Sequence, residues 1–257
     1  MSHRFFPALL LVVLTLAANG CARLAFKPEP VVSPAAAELL DRVQAVNSGL
    51  TACKGLGTID FQDQPNTPRT RFAWLCRPPD KIRLEVLAPT GTPLFTLASD
   101  GVYVYALSRT GDKKLFKKKA AGLDLHKIIS LPLTIGDIAC LLSGGIPLRG
   151  FDTAERLDPP GGGHLLQLKS RRPDRAQNIA FDPTTGHPSG ITFLRGSGPE
   201  LEYAVALIGV RETDGQLMPE AIRMENDRHE SVIIAIDRFW SATNVPDEKF
   251  TLTAPPD

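Results

Sequence analysis

Ile82-Arg83-Leu84-Glu85-Val86 places an apolar side chain at every second position and a charge at each position between. A period of two belongs to a strand with unlike faces, so Ile82, Leu84 and Val86 turn to an interior while Arg83 and Glu85 meet water. The same pattern runs outward on both sides. Upstream, Cys53, Gly55, Gly57, Ile59 and Phe61 share one face of 51–61, and Phe72, Trp74 and Cys76 share one face of 70–76. Downstream, the stretches 92–99 and 102–107 flank Asp100-Gly101, a strong hairpin turn signal. Residues 113–118 read as one more strand, at an edge.

Beyond this block the period changes. Ser33-Pro34 opens a helix, Ser as N-cap and Pro at the first helical position, with Leu39, Val43 and Val46 as its apolar stripe. Two short helices, 123–131 and 134–142, are joined at Pro132, and Gly144-Gly145 ends the second. Strands resume at 164–170, 177–181, 190–195, 200–207, 217–225 and 231–239. No βαβ rhythm occurs, which excludes Rossmann-like and TIM-barrel folds. A long antiparallel sheet with one apolar face curls around that face, and the helices are the other apolar surfaces able to cover it. The expected fold is mainly β: a curved, unclosed barrel with helices against its concave side, formed by residues 34–257 as one domain.

The N-terminus is of another kind. Arg4 is followed by a short apolar run over 8–17 and by Ala18-Asn19-Gly20-Cys21. The run is too short to span a bilayer, which takes roughly 20 apolar residues, and has the anatomy of a secretory signal. Ala18-Asn19-Gly20-Cys21 resembles the lipobox of bacterial lipoproteins. That resemblance implies removal of residues 1–20, acylation of Cys21 with fatty acyl chains such as palmitate, and a membrane anchor. Residues 21–33, rich in Ala and Pro, read as a tether. Ala22, where inner-membrane lipoproteins carry Asp, implies the outer membrane, with the body facing the periplasm.

Such a protein meets an oxidising compartment, where cysteines pair. Cys53 and Cys76 lie on the inward faces of consecutive strands, and the turn between sets them nearly opposite. A cross-strand disulfide is expected there, with Cys140 left as a buried thiol.

The full chain has 29 basic and 28 acidic residues. Loss of Arg4 with the signal makes them equal, so no polyanionic partner such as nucleic acid is indicated. His126, His164, His187 and His229 have no metal-site spacing. Asp124 and His126 lack a Gly-x-Ser-x-Gly nucleophile elbow, and Gly161-Gly162-Gly163 lacks the Lys of a phosphate loop. No enzyme activity, cofactor or metal is expected. The lysines Lys113, Lys114, Lys117, Lys118 and Lys119 admit two readings, protection of an edge strand from aggregation or contact with anionic headgroups.

Gly55–Phe61, Arg71-Phe72-Ala73-Trp74, Asp80–Pro89, Gly91–Gly101, Leu141–Gly145 and Asn244–Phe250 together resemble the LolA/LolB-like superfamily, in the first half the outer-membrane lipoproteins of LolB type. The resemblance covers most of the mature chain and implies an unclosed barrel whose helical lid holds acyl chains in an apolar cavity. It implies acylated lipoproteins as cargo and a LolA-like periplasmic carrier as partner, and it identifies Asn244–Phe250 with the closing strand. The exposed leucine of the LolB-type Pro-Leu-Gly loop is replaced here by Thr90, with Leu94 nearby.

Phe72, Trp74, Ile82, Leu84, Val86, Phe193, Tyr203, Ile222 and Ile234 either fill a core or line such a cavity. Two functions follow: a protein that binds and receives acyl chains, or a structural lipoprotein that uses the same fold as an interaction module. Interior volume separates them, because ligand pockets run to roughly 300–1,000 Å³.

Overall fold

A computed structural model describes residues 29–62, 69–110, 114–121, 123, 125, 133–160, 162–196, 198–242 and 244–253. The signal, Cys21 and its tether up to residue 28, Lys113, Asp124, His126, Pro132 and most of the expected helix over 123–131 lie outside these residues.

Strands β1 (Val31–Val32), β2 (Cys53–Phe61), β3 (Thr70–Arg77), β4 (Lys81–Leu87), β5 (Pro93–Asp100), β6 (Tyr103–Ser108) and β7 (Leu115–Lys119) come from the first half of the chain. The second half supplies β8 (Thr153–Leu157), β9 (His164–Arg171), β10 (Asp174–Phe181), β11 (Pro188–Arg195), β12 (Leu201–Ile208), β13 (Arg211–Thr213), β14 (Gln216–Met218), β15 (Ala221–Asn226) and β16 (Ser231–Ser241). All but β13 and β14 form one 14-stranded sheet in the order β1-β8-β9-β10-β11-β12-β15-β16-β2-β3-β4-β5-β6-β7. The sheet is large and curved and does not close into a barrel, leaving β1 and β7 as its edges. The two halves are joined by the long antiparallel pairing of β2 with β16.

Helix α1 (Pro34–Ser48) begins as expected: the Ser33 hydroxyl accepts from the Ala36 amide, 3.3 Å away. Leu39 and Val43 are buried in the core shared with β8 and β9, while Val46 is half-buried. Helix α2 (Ile135–Leu142) starts in a capping box, with the Asp137 amide on the Thr134 hydroxyl and the Thr134 amide on the Asp137 carboxylate. Its apolar residues Ile138, Leu141 and Leu142 join the same core.

The register explains why α2 sits where it does. Trp74 on β3 faces Gly55 on β2, and Phe72 faces Gly57. The two rings stack with centroids 5.1 Å apart. A Cβ on Gly55 would collide with the Trp74 ring, and one on Gly57 would lie 2.9 Å from Phe72 and against the Ala235 carbonyl. Both glycines let aromatic rings lie down on the sheet, a use of glycine where close approach is required. From there the Trp74 Nε1–H donates to the Leu142 carbonyl at the end of α2, over 3.2 Å.

Three expectations need correction. The stretch 217–225 is not one strand: Pro219 has no N–H for a ladder, and the chain breaks there into β14, which pairs with β13, and β15. Asn244–Phe250 does not close the sheet. It contains a 3-10 turn (Asp247–Phe250), with Phe250 fully buried and Leu252 packed on the outer-facing Ala98, Tyr105 and Leu107. The tether expected over 21–33 enters the fold at its end, where Val31–Val32 form β1 and pair in parallel with β8.

Overpacking a filled site costs roughly 1–3 kcal/mol. Gly55→Ala is therefore expected to lower the denaturant midpoint by that equivalent with an unchanged m-value. An unaltered midpoint would show that Trp74 is not seated on the glycine.

Candidate functional site

The concave face is built from rungs of register partners. Cys53, Cys76, Ile82, Ser99 and Val104 form one rung, and Trp74, Leu84, Leu97 and Ala106 the next. Helix α2 packs over this face against β3 and β4, and two pockets bear on the site.

The first is apolar. Ile138, Leu141 and Leu142 of α2 oppose Ile59, Phe61, Phe72, Leu84, Ile222 and Ile234 across a cleft of about 60 Å³, whose lining contains no polar residue. Of the side chains expected to line a cavity, Phe72, Leu84, Ile222 and Ile234 do so. Trp74 is spent on Gly55 and Leu142, Ile82 is fully buried, and Val86 stands half-buried on the rung beyond, facing Phe95.

Phe193 lines the second pocket, which carries charged side chains and measures about 230 Å³, while Tyr203 is fully buried beside it and outside the lining. Their rings stack at 4.4 Å, and the Arg149 guanidinium lies 4.9 Å from the Phe193 centroid. Arg149 Nη2 donates to Asp137 Oδ2 and to the Tyr203 hydroxyl, each at 2.9 Å. Burial opposes the charge on Arg149, but Tyr203 and Asp137 beside it hold the guanidinium protonated above its ordinary range. Burial likewise drives the Tyr203 hydroxyl upward, with the Asp137 charge adding to it. Nothing in the sequence marked Arg149; it lies outside every periodic segment.

Asn47, also unmarked, clamps the chain after α2: its side-chain amide donates to the Ile146 carbonyl (2.8 Å) and accepts from the Ile146 amide (2.9 Å).

Cys53 and Cys76 are register partners, as expected, and both are buried; their sulfurs are thiols in this structure. Hydrogen bonding from Cys76, aided by Ser143, outweighs burial and holds the Cys53 thiol below its ordinary range, while burial pushes Cys76 well above it. Cys140 is a thiol, half-buried, and burial beside Asp137 pushes it up to about 12.

Thr90 is exposed and its hydroxyl donates to Thr92; Leu94 is half-buried on β5, so no apolar wedge projects from this loop. Lys117, Lys118 and Lys119 lie on the edge strand β7, where Lys117 sits 4.2 Å from the Tyr103 ring centroid and Lys118 5.2 Å from that of the exposed Phe116. Lys114 lies just before that strand. Among the described residues there is no cluster of three or more His, Cys, Asp or Glu able to hold a metal ion.

No sequence-family model matches the chain, and no curated protein matches it in sequence. Solved structures do match in shape. A LolA superfamily protein from Nitrosomonas europaea is 14% identical with a TM-score of 0.57, the match covering 84% of this chain and 97% of that one. A domain assigned to outer-membrane lipoprotein sorting, from Vibrio parahaemolyticus, is 11% identical with a TM-score of 0.59, over 83% and 94%. A DUF1329 family protein from Desulfovibrio piger is 12% identical with a TM-score of 0.55, over 87% and 98%.

In an oxidising compartment the facing thiols are expected to lose two protons and two electrons to a disulfide oxidant and join as Cys53–Cys76. Peptide mapping without reduction, after export, should find the linked peptides; alkylation of both thiols in the native product would refute the pairing.

At this level of identity the likeness is one of fold, and the fold that the chain adopts is that of the LolA superfamily.

Proposed function

We propose that this chain is a non-enzymatic outer-membrane lipoprotein, anchored through Cys21, that takes acyl chains of a lipoprotein or similar amphiphile beneath α2. A LolA-like carrier would deliver them. One observation carries the reading: the space between α2 and the concave face is lined without a polar residue, on both walls. Core positions pack without such a cleft, and a groove of this kind suits methylene chains.

At about 60 Å³ the cleft is too small for a whole chain. The structure is thus read as the closed form, and α2 must move outward for loading. Two groups of contacts restrain it, the Trp74–Leu142 hydrogen bond at its end and the Asp137–Arg149 pair at its start. The same small volume favours the second reading, an interaction module with a filled interior.

Native mass spectrometry of the exported full chain carrying Cys21→Ala, which has no lipid of its own, separates the two. Co-purifying lipid or uptake of an acylated peptide is expected. Absence of both would leave the interaction module. In Trp74→Phe the lost indole donor should lower stability by about 1 kcal/mol and raise acyl uptake. Lower uptake at retained fold would show that α2 does not gate the cleft.

A further inference from the structure

Consecutive residues of α2 serve different pockets: Ile138 lines the apolar cleft, and Asp137 holds Arg149, which lines the polar one. Arg149 is fixed from several sides. Its backbone amide donates to the Gln177 side chain (3.0 Å), whose own amide donates to the Pro147 carbonyl (2.6 Å), and Gln177 is buried. The guanidinium rests on Phe193 and spends Nη2 on Asp137 and Tyr203, yet its Nε is buried with no hydrogen-bond partner among the described residues. A buried donor left unpaired is unusual enough to call for a partner.

Two more guanidinium groups, Arg172 and Arg175, line the same pocket together with Ser170, and neither makes an ion pair with a described residue. The acidic wall residues are Asp152, which accepts from the Arg171 amide (2.7 Å), and Glu202, lifted into place where β12 slips register against β11. Asp137 offsets Arg149, and Asp152 and Glu202 balance Arg172 and Arg175, so recognition of an anion falls on guanidinium geometry and not on net charge. Arg149 contributes preorganised N–H geometry. Planar guanidinium forks match carboxylate and phosphate oxygens.

We propose that this pocket binds an anionic oxygen group, a phosphate or carboxylate, and that it serves as the head-group subsite for an amphiphile whose chain enters beneath α2. The second clause rests on the acyl-binding reading above; the first does not. Asp137 of α2 is paired with Arg149 of this pocket, so a bound head-group and the helix would compete for the same arginine.

The test uses the full chain with Cys21→Ala at neutral pH, and probes that share a ten-carbon tail: decyl phosphate, decanoate and decanol, with inorganic phosphate as a tail-free arm. Calorimetric titration is expected to show both anions binding at least tenfold more tightly than decanol. In Arg172→Gln/Arg175→Gln, whose altered side chains are exposed and leave the core intact, that preference should fall below threefold. Equal binding of decanol and the anions would overturn the anion subsite while leaving acyl binding in place. If no tailed probe binds but inorganic phosphate does, and the double variant abolishes it, the site stands as a free-phosphate site and the acyl reading falls. Binding of neither overturns both.

Discussion

The placement of α2 depends on one indole. Trp74 lies flat because Gly55 offers no Cβ, and only from that posture does its N–H reach the last carbonyl of the helix. The terminal carbonyls of a helix need partners from outside it, and Leu142 finds one in the sheet itself. Cys53 adds a weak second contact to the same oxygen, and Ser143 closes the turn on Ala139. Helix and cleft take their positions from this anchor.

The far end of α2 is held by chemistry of a different kind. Asp137 serves at once as the capping-box carboxylate and as the partner of Arg149. A hydrogen-bonded ion pair that is partly buried is strong only while its geometry persists, since removing one partner leaves the other uncompensated. The helix is thus secured at one end by a neutral hydrogen bond over an aromatic stack and at the other by a charge pair open to a solvent-reached pocket. The second is the end that the charge of the proposed ligand would address.

Much of this was legible in the chain before any coordinates. The alternation of Ile82, Leu84 and Val86 named the concave face, and the glycines of 51–61 fell on that face because they are spaced by two. The facing of Cys53 and Cys76 followed from the alternation of the two strands and the turn between them. What stayed hidden had no period to announce it. Arg149 and Asn47 act through hydrogen bonds across the fold, between residues 12 to 99 positions apart. The split at Pro219 was written in the residue type, but a strand of six residues and a hairpin of three-residue arms mimic one longer strand when read by alternation. The closing segment failed for a physical reason: Phe250 and Leu252 have apolar neighbours on the outer face, and burial there outweighs pairing at an edge.

Whether a closed cleft of about 60 Å³ is compatible with a loading protein is a question of what opening would cost. The apolar contacts that Ile138, Leu141 and Leu142 give up are replaced in kind by the entering chain, at about 0.8 kcal/mol for each methylene buried. What is not replaced in kind is polar: one indole hydrogen bond, a net contribution of about 1 kcal/mol, and the Asp137–Arg149 pair. An uncharged chain leaves Arg149 beside an abandoned carboxylate partner. The proposed anionic head-group would supply oxygen acceptors to the same guanidinium as Asp137 withdrew. On the proposed reading, opening would be an exchange of partners at Arg149, and the chemistry of the head would decide how readily the helix gives way.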